Sequence, residues 1–155
     1  MDFERLYQEN YSNVQQFCLK WTGCTDNARD IAQESFIELM QKLKGNHNLN
    51  NPISWVYRVA LNRCVNHHKF NKRFVKGNLL VLNQHESLQD NGVDSERAEK
   101  VRKAIQRLND KEKALVTLYK LKFSYSEMAS IVEINPASVG KTLARAIDKL
   151  AYWVK

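Results

Sequence analysis

Two prolines and five glycines are thinly spread over 155 residues. So few breakers, with almost no strand-like alternation, exclude a turn-rich β-sandwich or barrel and leave helical spacing dominant. No apolar run approaches the ~18 residues that cross a bilayer. The opening MDFERLYQEN also lacks the basic-then-apolar order of a secretory signal. The expectation is a soluble cytoplasmic protein with no membrane insertion. Cysteine is scarce too: Cys18, Cys24 and Cys64 are odd in number and far apart, which fits neither a disulfide framework nor a paired zinc site. His47 and the His67–His68 pair have no carboxylate or thiol at ligand spacing, so no metal and no cofactor is expected. No nucleophile–base pair or phosphate-binding loop is visible either, which argues against an enzyme.

One further absence is one-sided. Between Glu38 and Glu86 no acidic residue occurs, while Lys42, Lys44, Arg58, Arg63, Lys69, Lys72, Arg73 and Lys76 do. Solvated surfaces usually mix the two signs, so this run points to a polyanionic partner. The whole chain agrees: its net charge is +7 and its pI about 9.4, while 43% apolar residues suffice to bury real cores.

The chain reads as two basic helical modules on a tether. In residues 76–95, KGNLLVLNQHESLQDNGVDS, aromatics vanish and Gly, Asn, Asp and Ser gather, as in a flexible linker. Residues 1–75 carry ten Lys/Arg against seven Asp/Glu, 76–95 one against three, and 96–155 thirteen against seven. The fold class expected is all-α, with two small helical domains.

In the C-terminal module, Val101, Ile105 and Leu108 lie on one helical face. Asn109 with Glu112 forms a capping box, opening a helix with Leu115, Leu118 and Tyr119 on its apolar side. Ser124 with Glu127 opens another, through Met128, Ala129, Ile131 and Val132. Asn135-Pro136 then places a cap before a proline at the first helical position, where the missing N–H costs nothing. In this last helix Val139, Leu143, Ile147 and Leu150 should face the core. Ser138, Lys141, Thr142 and Arg145 line the opposite side. A short helix, a tight turn and a second helix with a polar-basic stripe make a helix-turn-helix suited to the major groove.

In the N-terminal module, Asn51-Pro52 starts a helix whose buried face is Ile53, Val56, Tyr57, Ala60, Leu61 and Cys64. Arg58, Asn62, Asn66, Lys69 and Arg73 form a long polar stripe. Trp55 and Phe70 lie near it; aromatics among cations suit unstacked bases, and they also suit a core, so both roles stay open. The preceding loop, GNHNLNN, offers side-chain amides, Asn48 among them, to a flipped-out base. Upstream, TDNARDIAQESFIELMQKL is a helix capped by Thr25 or Asp26, burying Ala28, Ile31, Ala32, Ser35, Phe36, Leu39, Met40 and Leu43. Asp30, Gln33, Glu34 and Glu38 fall outside that set. An acidic face beside a basic helix argues for a protein partner, because phosphates would repel it.

Three motifs together resemble the extracytoplasmic-function sigma factors of bacterial RNA polymerase. They are Asp30-Ile31-Ala32-Gln33-Glu34-Ser35-Phe36, Trp55-Val56-Tyr57-Arg58-Val59-Ala60-Leu61-Asn62, and the helix-turn-helix ending at Arg145-Ala146. The resemblance implies a sigma domain 2 over 1–75, a linker over 76–95 and a sigma domain 4 over 96–155. It implies that Asp30, Gln33 and Glu34 contact the clamp of core RNA polymerase. Asn48, Trp55, Arg58, Asn62, Asn66, Lys69 and Arg73 would meet the −10 element of promoter DNA. Ser138, Lys141, Thr142 and Arg145 would meet the −35 element. An anti-sigma factor is the further partner implied.

The match has departures. Asn66 stands where the family usually has Asp, and Gly140 and Thr142 stand where Lys and Arg are common. Lys141 and Arg145 are left as the main cations of the last helix. Two other readings stay open from the residues alone. One is a helix-turn-helix regulator that binds palindromic duplex DNA without polymerase. The other is a helical adaptor that never touches DNA, which leaves the acid-free run unexplained.

Overall fold

The computed structural model describes residues 2–45, 49–75 and 95–154, with backbone alone for residues 68, 70–75 and 95. Among them are seven α-helices and no strand. The chain divides into two compact units, residues 1–86 and 87–155. The linker expected over 76–95 lies, but for Ser95, outside the described residues.

The first unit is three helices that all pack on one another: α1 (Phe3–Thr22), α2 (Thr25–Lys44) and α3 (Pro52–Val75). Helix α1 belongs to no motif above, yet its spacing is plain. Val14, Phe17, Cys18 and Trp21 recur three and four residues apart and are buried. The Asp2 carboxylate accepts from the Glu4 N–H at 3.1 Å and starts the helix. Gly23, at φ 65°, ends it in the left-handed region, with its N–H donating to Leu19 O at 2.9 Å.

Helix α2 begins one residue away from expectation. Cys24 occupies the cap position with no side-chain cap bond, and Thr25 is already helical. The Thr22 hydroxyl does the local work instead, donating to Cys24 O at 3.1 Å and accepting from Cys24 N–H at 3.4 Å. Ala28, Ile31, Ala32, Ser35, Phe36 and Leu39 are buried as expected, while Met40 and Leu43 are half-buried. Ser35 tolerates burial because its hydroxyl donates to Ile31 O at 2.7 Å. On α3, Val56, Tyr57, Ala60, Leu61 and Cys64 are buried and Ile53 is half-buried. Phe17 and Tyr57 meet edge to face at 5.4 Å in this core. Burial raises the Tyr57 phenol above its usual range.

The second unit holds α4 (Ser95–Arg107), α5 (Asp110–Lys120), α6 (Tyr125–Val132) and α7 (Pro136–Val154), with α7 packed on the other three. Both expected capping boxes are complete, Asn109 with Glu112 and Ser124 with Glu127. Ile105, Leu108, Leu115, Leu118, Met128, Ile131, Val139 and Leu143 form the core.

Two residues read as core face outward. Tyr119 is 51% exposed and Ile147 44%, and Ala146 is buried in the place expected of Ile147. Residue 146 follows Val139 and Leu143 at the i+7 and i+3 spacing and Ile147 at i+8 and i+4; both spacings suit one apolar stripe, and Ala146 takes the buried place.

Candidate nucleic-acid interface and docking ridge

Helices α6 and α7 are joined by a turn that begins at Glu133, φ 63°, whose N–H donates to Ala129 O. The Asn135 carboxamide then accepts from the Ala137 N–H at 3.0 Å, and Pro136 opens α7 as the sequence requires. These two local devices set the direction of α7. Its buried line is Val139, Leu143 and Ala146; Ser138, Lys141 and Arg145 are exposed on the other side, and Thr142 is half-buried. All four residues expected to meet duplex DNA therefore stand along one side of one helix, three and four apart.

Gly140 lies within this stretch. A methyl group there would meet Tyr125 Cε2 at 3.6 Å, an ordinary contact, so neither space nor backbone strain requires the glycine. Tyr125, at the start of α6, is 49% exposed and adds an aromatic to this side of the unit. At the far end of α7, the Arg107 guanidinium lies 4.3 Å from the Trp153 ring, tying α4 to the last turn.

In the first unit, the Asn51 carboxamide accepts from the Ser54 N–H at 3.1 Å and sets where α3 begins. From that start Arg58, Asn62, Asn66 and Lys69 are exposed along one stripe, opposite Val56, Ala60 and Cys64. Trp55 is half-buried, with the Lys42 ammonium of α2 5.7 Å from its ring centroid. The indole thus stands at the junction of the two helices, beside a cation. Asn48, and the side chains of Phe70 and Arg73, lie outside the described residues.

On α2, Asp30, Gln33 and Glu34 are exposed, one helical step from buried Ile31, Ala32 and Ser35. One of the three is already engaged. Beside Gln33, burial holds the Tyr11 phenol above its usual range. Arg63 of α3 reaches across to Glu34, Nη1 donating to Oε2 at 2.6 Å, and its Nη2 donates to Glu38. Arg63 belongs to the acid-free run, yet its charge is turned toward the acidic ridge.

The sequence motifs also missed the aromatic set of α1. Phe3, Tyr7 and Tyr11 gather round Phe36, the Tyr7 and Phe36 rings at 5.2 Å and 78°. Phe3, Tyr7 and Phe36, with Ile37, 48% exposed, and Met40, line a groove beside Gln33. The spacing of Phe3, Tyr7 and Tyr11 at four residues was the available signal. Among the described residues no group of His, Cys, Asp or Glu could hold a metal, and no helix is long and apolar enough to cross a membrane.

Comparison with known proteins places this geometry. Residues 6–74 match the family model for sigma-70 region 2, and residues 98–150 that for sigma-70 region 4. The chain belongs to the sigma-70 family, in its extracytoplasmic-function class. It is an initiation subunit that directs core RNA polymerase to promoter DNA and helps to open it.

Among curated proteins it is similar to the RNA polymerase sigma factor YlaC of Bacillus subtilis. The two are 24% identical over 152 residues, covering 92% of this chain and 86% of YlaC. Its fold is that of the sigma factor RpoE, solved with the anti-sigma factor NepR from Bartonella quintana. There the TM-score is 0.75 at 18% identity, over 99% of this chain and 96% of RpoE. CnrH, solved with the cytosolic domain of CnrY, has a TM-score of 0.71 at 16% identity, over 97% of this chain and 85% of CnrH.

Proposed function

We propose that promoter recognition is divided between the two units. Residues 1–75 dock on the polymerase clamp and take the −10 element, and residues 96–155 take the −35 element. Residues 76–95 are the flexible tether. Asp30, Gln33 and Glu34 make the docking contacts. Trp55, Arg58, Asn62, Asn66 and Lys69, with Asn48 and Arg73, hold the −10 strand. Ser138, Lys141, Thr142 and Arg145 enter the major groove at −35.

The observation that carries this division is the separation of charge within the first unit. Acidic residues stand on the outer side of α2, and an acid-free polar stripe runs along α3. Phosphates are repelled by the one and drawn by the other. Weak contacts at −10 and −35 combine because one polymerase holds both units, raising the local concentration of the second site. Opening needs no hydrolysis: bases held in a protein pocket offset the few kcal/mol of unpairing. The reading therefore assigns no catalysis to the chain, and it places the chain in the cytoplasm with the polymerase. An anti-sigma factor is a further partner, as NepR is for RpoE.

The test is a pair of binding measurements on the Asp30→Ala, Glu34→Ala double variant. Affinity for core polymerase should fall while affinity for promoter DNA is spared. Equal loss of both would mean that α2 supports the fold and not the docking.

A further inference from the structure

Glu34 and Glu38 are one helical turn apart on α2, a spacing at which like charges repel. Arg63 answers both. Its fork gives one nitrogen to Oε2 of Glu34 and another to Oε1 of Glu38, and each carboxylate keeps its second oxygen uncommitted among the described residues. All three side chains are partly exposed, at 35% for Arg63, 55% for Glu34 and 37% for Glu38. A guanidinium shared in this way fixes the rotamers of both acids, as a lysine's point charge would not.

We propose that Arg63 is a positioning residue for the docking ridge. Held from α3, the two carboxylates present their remaining oxygens in one fixed arrangement to a cationic partner surface. The inference rests on the reading that the α2 ridge docks core polymerase, and it adds Arg63 and Glu38 to that ridge.

The proposal has a distinctive sign. If charge alone mattered, removing a cation from an acidic ridge would tighten its hold on a cationic partner. If positioning matters, the partner must instead order two rotamer-rich side chains on binding, and affinity falls.

The experiment measures core-polymerase binding by the full chain and its Arg63→Ala, Arg63→Lys and Glu34→Ala variants, well below each melting temperature and with helicity checked. Arg63→Ala should weaken binding roughly 5- to 10-fold, the loss expected from ordering two long side chains. Arg63→Lys should restore only part of that loss, because it returns the charge and not the fork.

Unchanged or tighter binding by Arg63→Ala, with Glu34→Ala weakened, overturns the positioning role alone. Full binding by Glu34→Ala overturns the docking assignment, and the positioning role with it. A fall in melting temperature without a fall in affinity also overturns it, because a purely structural ion pair would give that result.

Discussion

The Lys149 ammonium of α7 donates to Glu112 Oε2 at 2.8 Å, while the other oxygen of the same carboxylate accepts the Asn109 N–H at 3.2 Å. One buried acid thus closes the cap of α5 and anchors α7, the helix proposed to meet the −35 element. Glu112 is only 5% exposed, so the two partners supply hydrogen bonds that burial takes away from water.

Glu112→Ala should therefore destabilise the second unit by about 1–3 kcal/mol, the range for a lost cap together with an orphaned bond. Glu112→Gln keeps an acceptor for the Asn109 N–H and should cost less. Denaturant midpoints rank the two, and a larger loss for glutamine would contradict the account.

Gly140 offers a gain. Alanine there adds a methyl group at van der Waals distance from Tyr125 and removes the helix penalty of glycine. Gly140→Ala should stabilise the protein by roughly 0.5–1 kcal/mol, read as a higher melting temperature. A lower one would show that α7 depends on the glycine in a way its surroundings do not reveal.

The cations of α7 should show themselves through salt. Lys141→Ala with Arg145→Ala should weaken duplex −35 binding and lower the slope of log affinity against log salt by roughly 2, since each phosphate contact releases close to one counterion. A titration with unchanged slope would remove both residues from the DNA surface.

What was legible in the sequence follows the range of the forces involved. Caps act within four residues, so Asn51, Asn109, Ser124 and Asn135 marked their helix starts correctly. Helical spacing placed nearly all of the α2 and α3 cores for the same reason. It failed at Ile147 and Tyr119, where one step of 100° decides whether a side chain faces the bundle, and hydrophobicity alone cannot choose. Arg63 was read as part of a basic run because the sequence cannot show that Glu34, 29 residues away, lies within its reach. The aromatic cluster round Phe36 was half legible: the four-residue spacing of Phe3, Tyr7 and Tyr11 marks a face, but its meeting with Phe36 arises only once α1 packs on α2.

His67 supplies a pH dependence. Burial holds its imidazole below the usual pKa of 6.5, and its buried Nδ1 has no hydrogen-bond partner among the described residues. The folded state therefore favours the neutral ring, and the unfolded chain takes up the proton first. Stability is retained above pH 6.5 and declines as pH falls below it, until the folded-state ring titrates as well. Replacing His67 with Gln should flatten that decline in melting temperature between neutral and mildly acidic pH; an unaltered profile would assign the dependence to other groups.

The most direct test of the division of labour is promoter-dependent transcription with purified core polymerase and the full chain. The account predicts a discrete start site, with the transcript reduced by Asp30→Ala with Glu34→Ala through loss of polymerase binding, and by Lys141→Ala with Arg145→Ala through loss of −35 binding. A chain that leaves core polymerase unable to start at any promoter, under conditions where another sigma factor succeeds, would contradict it.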